Sequence, residues 1–186
     1  KTMNISKRLG LYEKTDDFIE IVYPVSQTIE EQERHQAVIA DYDPLDAASR
    51  GELNSLWALM KDEYRDSIIG VRDADYIQHR YLNHPFAKSK QYRCVIIRAE
   101  SSNKALAFAV VKEHDGSKLL MDLVCPVAEM KSAISILKQE LSRGEGGAVL
   151  RLWVTSSGKD KVFTAGAIVN ELGIEIPCNS WNPGPE

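Results

Sequence analysis

Lys118-Leu119-Leu120-Met121-Asp122-Leu123-Val124-Cys125-Pro126-Val127-Ala128-Glu129-Met130-Lys131, continued to Arg143, decides the fold of this chain. The run from Leu119 to Cys125 is apolar apart from Asp122, has the length of one buried strand, and is stopped by Pro126. Beyond it Val127, Met130, Ala133, Ile134, Ile136, Leu137 and Leu141 recur at helical spacing, with Lys131, Lys138, Gln139 and Glu140 falling largely elsewhere. Gly144, Gly146 and Gly147 end that helix, and a second apolar strand runs from Ala148 to Thr155. Strand, helix and strand with short joints predict a right-handed unit with parallel strands. Ligands of open α/β sheets sit beyond the carboxyl ends of such strands, which directs attention to the turn after Cys125.

Working outward, Lys7 to Val25 reads as two short strands about a Thr15-Asp16-Asp17 turn, closed by Pro24. Residues 26–35 are polar and acidic and read as a linker or a short helix, the best candidate for a domain boundary. Gln36 to Tyr42 is a strand. Asp46 then caps a helix to about Tyr64, with Leu53, Leu56, Trp57, Leu59 and Met60 on its apolar face. Asp73 caps a second helix to Leu82, broken at Asn83-His84-Pro85. Gln91 to Ala99 and Lys104 to Glu113 are strands, and Asp115-Gly116 is a hairpin turn into the strand at Lys118. After Thr155 the pattern predicts a helix from Lys159 to Leu172, with Val162, Phe163, Ala165, Ala167, Ile168 and Leu172 inward and Gly173 as its stop. Ile174 to Ile176 is a last short strand. Trp57 and Trp153 read as core, and Trp181 as a cover for an exposed edge or partner surface. The fold class is α/β (α+β), a mixed, mostly antiparallel sheet flanked by helices, in the order β-α-α-β-β-β-α-β-α-β from Gln36 onward.

Composition excludes several classes. With 186 residues and 44% apolar side chains the chain suits one domain with a small appendage. A net charge of −4 offers no basic stripe for nucleic acid. No apolar run approaches the ~20 residues that span a membrane. Cys94, Cys125 and Cys178 form no paired pattern, which argues for reduced thiols in a cytoplasmic protein rather than a disulfide frame or zinc site. His79 has no carboxylate or Cys at ligand spacing, so no metal is expected.

The element order resembles the GNAT (Gcn5-related N-acetyltransferase) fold over Gln36 to about Asn182. Members carry Asn, Ala and Tyr along the last helix and then Gly-Phe; the matching positions here are Val162, Ala165, Val169 and Gly173-Ile174, so Ala165 and Gly173 fit and the other two depart. Arg8-Leu9-Gly10-Leu11 and Glu171-Leu172-Gly173-Ile174 share one form. Residues 1–25 therefore resemble the closing strands of a preceding GNAT-like domain, or else form an N-terminal hairpin; 26–35 is the linker and 36–186 the GNAT-like domain. Tyr76, Arg80, Tyr81, His84 and Pro85 follow a pattern seen in second domains of tandem GNAT proteins, with His79 where Trp is common.

The resemblance implies a transfer of an acyl group from acetyl-CoA or another acyl-CoA to an amine. In the family the pyrophosphate rests on backbone N–H groups in a glycine-bearing turn that opens the helix after the fourth strand. Here that place reads Pro126-Val127-Ala128-Glu129, without glycine and with an acidic side chain. If CoA binds this chain, Cys125, Val127 and Ala128 hold it; the departures instead imply a chain that needs no cofactor of its own and pairs with an upstream GNAT domain, or with a second copy as a homodimer. Asp122 is the catalytic candidate, a carboxylate inside an apolar strand that could serve as a base. Arg80, Tyr81 and His84 are the candidates for holding an acceptor. Two readings follow: the acceptor-side half of an N-acyltransferase, expected to keep an open V between the fourth and fifth strands, or a non-catalytic scaffold in which Met121, Leu123 and Trp153 close it.

Overall fold

The computed structural model describes residues 12–24, 37–83, 85, 92–142 and 149–179. Its elements are β1 (Tyr12–Tyr23), β2 (Ala37–Asp41), α1 (Ala47–Glu63), α2 (Ala74–Ile77), β3 (Tyr92–Ala99), β4 (Ala105–His114), β5 (Ser117–Val124), α3 (Met130–Ser142), β6 (Val149–Thr155), α4 (Lys159–Val162) and β7 (Ile168–Asn179). Seven strands form one sheet in the order β2-β3-β4-β5-β6-β1-β7. All neighbours are antiparallel except β5 and β6. The mixed, mostly antiparallel sheet with flanking helices is the expected fold class.

Local chemistry explains most boundaries. Asp46 caps α1 by accepting from Ala48 N–H (3.3 Å), Ser49 N–H (2.9 Å) and Ser49 Oγ (2.8 Å). Leu53, Leu56, Trp57 and Met60 bury that helix, whereas Leu59, expected on the same face, is 52% exposed. Asp73 caps α2 through Tyr76 N–H, and Asn54 Oδ1 accepts from Ala74 N–H (2.9 Å), which locks α2 onto α1. Asp115 (φ 47°) and Gly116 (φ 71°) make the β4–β5 turn, whose two positive φ angles are those a tight hairpin needs.

Three expectations are corrected. Within residues 12–23 the N-terminal segment is one strand with no turn at Thr15-Asp16-Asp17: Thr15 falls at an irregularity of β1, between Lys14, which pairs with Pro177, and Asp16, which pairs with Ile176. That strand lies inside the sheet, between β6 and β7, with Ile19, Ile21 and Tyr23 buried. The predicted helix from Lys159 to Leu172 is a single turn ending at Val162. Phe163 is already extended, Gly166 takes a positive φ (77°), and the β-branched residues Ile168, Val169, Ile174 and Ile176 continue as β7. Gly173 (φ 65°) is accordingly a bulge residue of β7, at the shift between Phe18 and Ile19, and not a helix stop. Val162, Ala165 and Val169 thus share no helix, and the match of these positions to a family helix falls away. Trp57 is buried, but Trp153 stands 54% exposed on β6. Trp181 and the glycines of 144–147 lie outside the described residues.

The parallel β5–β6 pairing runs only from Ser117–Val149 to Leu120–Leu152, although β5 continues to Val124 and β6 to Thr155. Beyond that point β5 stays bonded to β4, and β6 stays bonded to β1. The sheet therefore opens as a V. The split begins at Met121, which has no partner on β4, because Val111 pairs with Leu120 and Val110 with Asp122. This bulge turns Asp122 toward α2, and such bulges re-aim side chains next to sites.

Candidate functional site

Asp122 is the centre of the array at the split. Its side chain is 6% exposed, and its two oxygens take different partners: Arg72 Nε donates to Oδ1 (2.6 Å) and Tyr81 Oη donates to Oδ2 (2.7 Å). Arg72 comes from the loop before α2. Tyr81 comes from Gln78–Leu82, where the helix widens into a π turn closed by Asn83 N–H on Gln78 O (2.8 Å). π turns recur at functional sites because they rotate side chains out of α register. Here the turn drives Tyr81 inward and leaves Arg80 at the surface, its Nε donating to Tyr81 Oη (3.3 Å). Burial, helped by the Asp122 charge, pushes the Tyr81 phenol up from its ordinary value, so it remains a donor to Asp122.

Aromatic rings line the same place. Tyr81 meets Tyr92 edge to face at 5.0 Å and Tyr76 at 6.5 Å. The Arg72 guanidinium lies 5.6 Å from the Tyr76 ring centre and that of Arg80 5.5 Å from Tyr81. Arg80 does not pair with Asp75, which instead bonds Arg50 (2.6 Å). Of the residues expected to hold an acceptor, Arg80 and Tyr81 are brought to Asp122; His84 lies outside the described residues. Arg72 carries no sequence signal, since it stands fifty positions before Asp122 and outside any motif.

The turn after Cys125 is built differently from an anion cradle. Val127–Glu129 is a single 3-10 turn, and Val127 N–H donates to Glu63 Oε2 at 2.6 Å. The last residue of α1 thus places a carboxylate on the backbone donor that a pyrophosphate would need. Glu129 N–H is turned back onto Pro126 O (2.9 Å). With no glycine to let phosphate close on the backbone, and Glu63 and Glu129 adding negative charge, the residues present do not fit a pyrophosphate. Cys125 is buried; burial first, and the Glu129 and Glu63 charges next, push its thiol up to about 12, which makes it inert rather than nucleophilic. Glu63, like Arg72, has no signal in the sequence.

A groove of 180 Å³ opens on the opposite face of the sheet, under α3, floored by Ile39, Val95 and Val111, covered by Leu137 of α3 and rimmed by the Glu113–Lys118 pair (3.0 Å). It is separate from the Asp122 array, because Cys94 and Val95 point to opposite faces of β3. Among the described residues no cluster of His, Cys, Asp or Glu could hold a metal ion, and no helix is long and apolar enough to cross a membrane.

No known family model matches the chain, and no curated protein matches it. Solved structures do match. A conserved protein of Enterococcus faecalis V583, described as a probable N-acyltransferase, superposes with a TM-score of 0.59 at 15% identity, covering 95% of this chain and 42% of its own. A GCN5-related N-acetyltransferase from Kribbella flavida gives 0.53 at 13%, covering 90% and 39%. One from Sphaerobacter thermophilus gives 0.50 at 9%, covering 91% and 53%. The chain spans about half the length of these structures or less. At such identities the likeness is one of fold, and with the V-shaped split of the sheet it gives the conclusion: this chain has the fold of the GNAT N-acetyltransferases.

Proposed function

We propose that this chain is the acceptor-side half of a GNAT-type N-acyltransferase, with the acyl-CoA held by an upstream GNAT domain and not by the turn after Cys125. The observation that carries this reading is the Glu63 carboxylate on Val127 N–H. In the whole protein an amine would attack the thioester carbonyl after losing a proton, forming the amide C–N bond as the C–S bond breaks and CoA leaves as a thiolate that takes up a proton. This chain would contribute the wall of the cleft on which the amine is positioned. Both oxygens of Asp122 are already bonded, which supports a role in positioning Arg72 and Tyr81 over one in proton abstraction. The scaffold reading has Met121, Leu123 and Trp153 close the V; Met121 and Leu123 do pack partly on the core, but the exposure of Trp153, with Nε1 3.5 Å from Glu20 Oε1 across on β1, supports the open cleft.

Calorimetry with acetyl-CoA, and CoA as control, tests the proposal. The expected result is no heat of binding at millimolar ligand. Saturable binding at micromolar concentration would overturn it, because the turn would then hold pyrophosphate despite Glu63. Glu63→Gln reports on the cause: if the carboxylate is what excludes phosphate, this variant gains weak binding that the native chain lacks.

A further inference from the structure

Two guanidinium groups and one carboxylate meet at the π turn. Arg72 and Arg80 lie against the adjoining rings of Tyr76 and Tyr81, and Asp122 is the only acid bonded to them among the described residues. The other nearby acids are spent elsewhere: the Asp73 side chain caps Tyr76 N–H, and Asp75 pairs with Arg50. The cluster keeps one positive charge in excess, in a chain whose net charge is −4. Among the described residues Arg80 bonds only through Nε, to Tyr81 Oη. Its Nη1–Nη2 edge, which bonds none of the described residues, is a planar fork of two parallel N–H donors, the geometry that matches the two oxygens of a carboxylate. The guanidinium is steadied at Nε, because Tyr81 is itself held by Asp122 and wedged against Tyr92. Steadying it spares part of the side-chain entropy that a free arginine loses on binding.

We infer that the free edge of Arg80 is a binding site for the carboxylate of the acceptor, so that the amine taken by this cleft is a carboxylate-bearing one. This rests on the acceptor-side reading above, yet it is tested without any cofactor. The full chain, labelled with ¹⁵N, is titrated with succinate, and separately with inorganic phosphate, while the Arg Nε–H and the backbone amide resonances are followed at constant ionic strength. Succinate is expected to shift the Arg80 resonance saturably at millimolar concentration, with phosphate binding more weakly. Arg80→Gln abolishes the saturable shift of the Tyr81 and neighbouring backbone amides while the amide spectrum stays dispersed. Arg80→Lys, which keeps the charge and loses the fork, weakens succinate about tenfold. Tyr81→Phe, which frees the guanidinium, also weakens it. Four results overturn the inference: no saturable shift, the same shift with sodium chloride, an unchanged titration in Arg80→Gln, or tighter binding of phosphate than of succinate. A chain that binds acetyl-CoA but still binds succinate at Arg80 refutes the cofactor reading alone. A chain that binds neither refutes this inference alone.

Discussion

At Asp122, burial and bonding are inseparable: a carboxylate 6% exposed persists in an apolar strand because Arg72 and Tyr81 each satisfy one oxygen. Asp122→Asn removes the charge and leaves Arg72 facing a neutral amide. It should lower stability by about 2–3 kcal/mol in urea unfolding, less than a fully buried pair because Arg72 is partly exposed. Tyr81→Phe should cost about 1 kcal/mol. The double variant should lose less than the sum, since both substitutions break one shared bond. The buried thiols give a pH dependence. Burial pushes Cys94 and Cys125 up from 9.0 to about 12. The folded chain therefore holds these protons more tightly than the unfolded one. Their contribution to stability is complete below pH ~9 and is lost as pH rises toward ~12. Cys125→Ala should flatten the fall of the urea midpoint between pH 9 and 11, and a thiol reagent at pH 8 should leave both thiols unlabelled until the chain unfolds. Asp122 was legible as an oddity in the sequence, a charge among Leu120, Leu123 and Val124. Its partners were not, because nothing local marks a residue fifty positions away as the one that will face it.

Helices and strands with strong local signals came out as the sequence predicts. Asp46 and Asp73 cap α1 and α2, and Asp115-Gly116 turns β4 into β5. Asp46→Ala should cost about 1–2 kcal/mol, read as a lower thermal midpoint, because one carboxylate serves two backbone donors and the Ser49 hydroxyl. The segment from Lys159 shows where the signal misleads. Val162, Ala165, Ile168 and Leu172 sit at helical spacing, but Gly166 at positive φ and the β-branched run from Ile168 favour a strand once β1 offers an edge to pair with. Pairing with β1 decided that element, and spacing within it did not. The π turn is likewise invisible in sequence: Gln78 to Leu82 reads as plain helix, and the extra residue per turn is set by docking Tyr81 on Asp122.

Across the whole molecule, β1 joins the edge strand β7 to the rest of the sheet. It is bonded to β6 on one side and β7 on the other, buries Ile19, Ile21 and Tyr23, and ties α4 down through Tyr23 Oη on Val162 O (2.9 Å). Ile21→Ala should therefore cost about 2–5 kcal/mol, the value of a core position, and should lower the midpoint of a single cooperative transition. A loss under 1 kcal/mol, or a separate early transition, would mean that residues 12–23 are an appendage. Glu63 on Val127 N–H belongs to the same scale, since the end of α1 meets the turn before α3 only in the folded chain.

The sequence by itself determined the run of elements from Gln36 to Thr155, the caps, the hairpin, and the apolar faces of α1, Leu59 apart, and α3. These are local properties, set by backbone preference and by the period at which apolar residues recur. Only the tertiary structure decided that residues 12–23 lie between β6 and β7, that the sheet splits at Met121, that Trp153 is exposed, and that Arg72 and Glu63 take the two decisive carboxylate contacts. Each of these depends on which distant segments pack together. That choice is made by the burial of the whole core, and no window of neighbouring residues contains it.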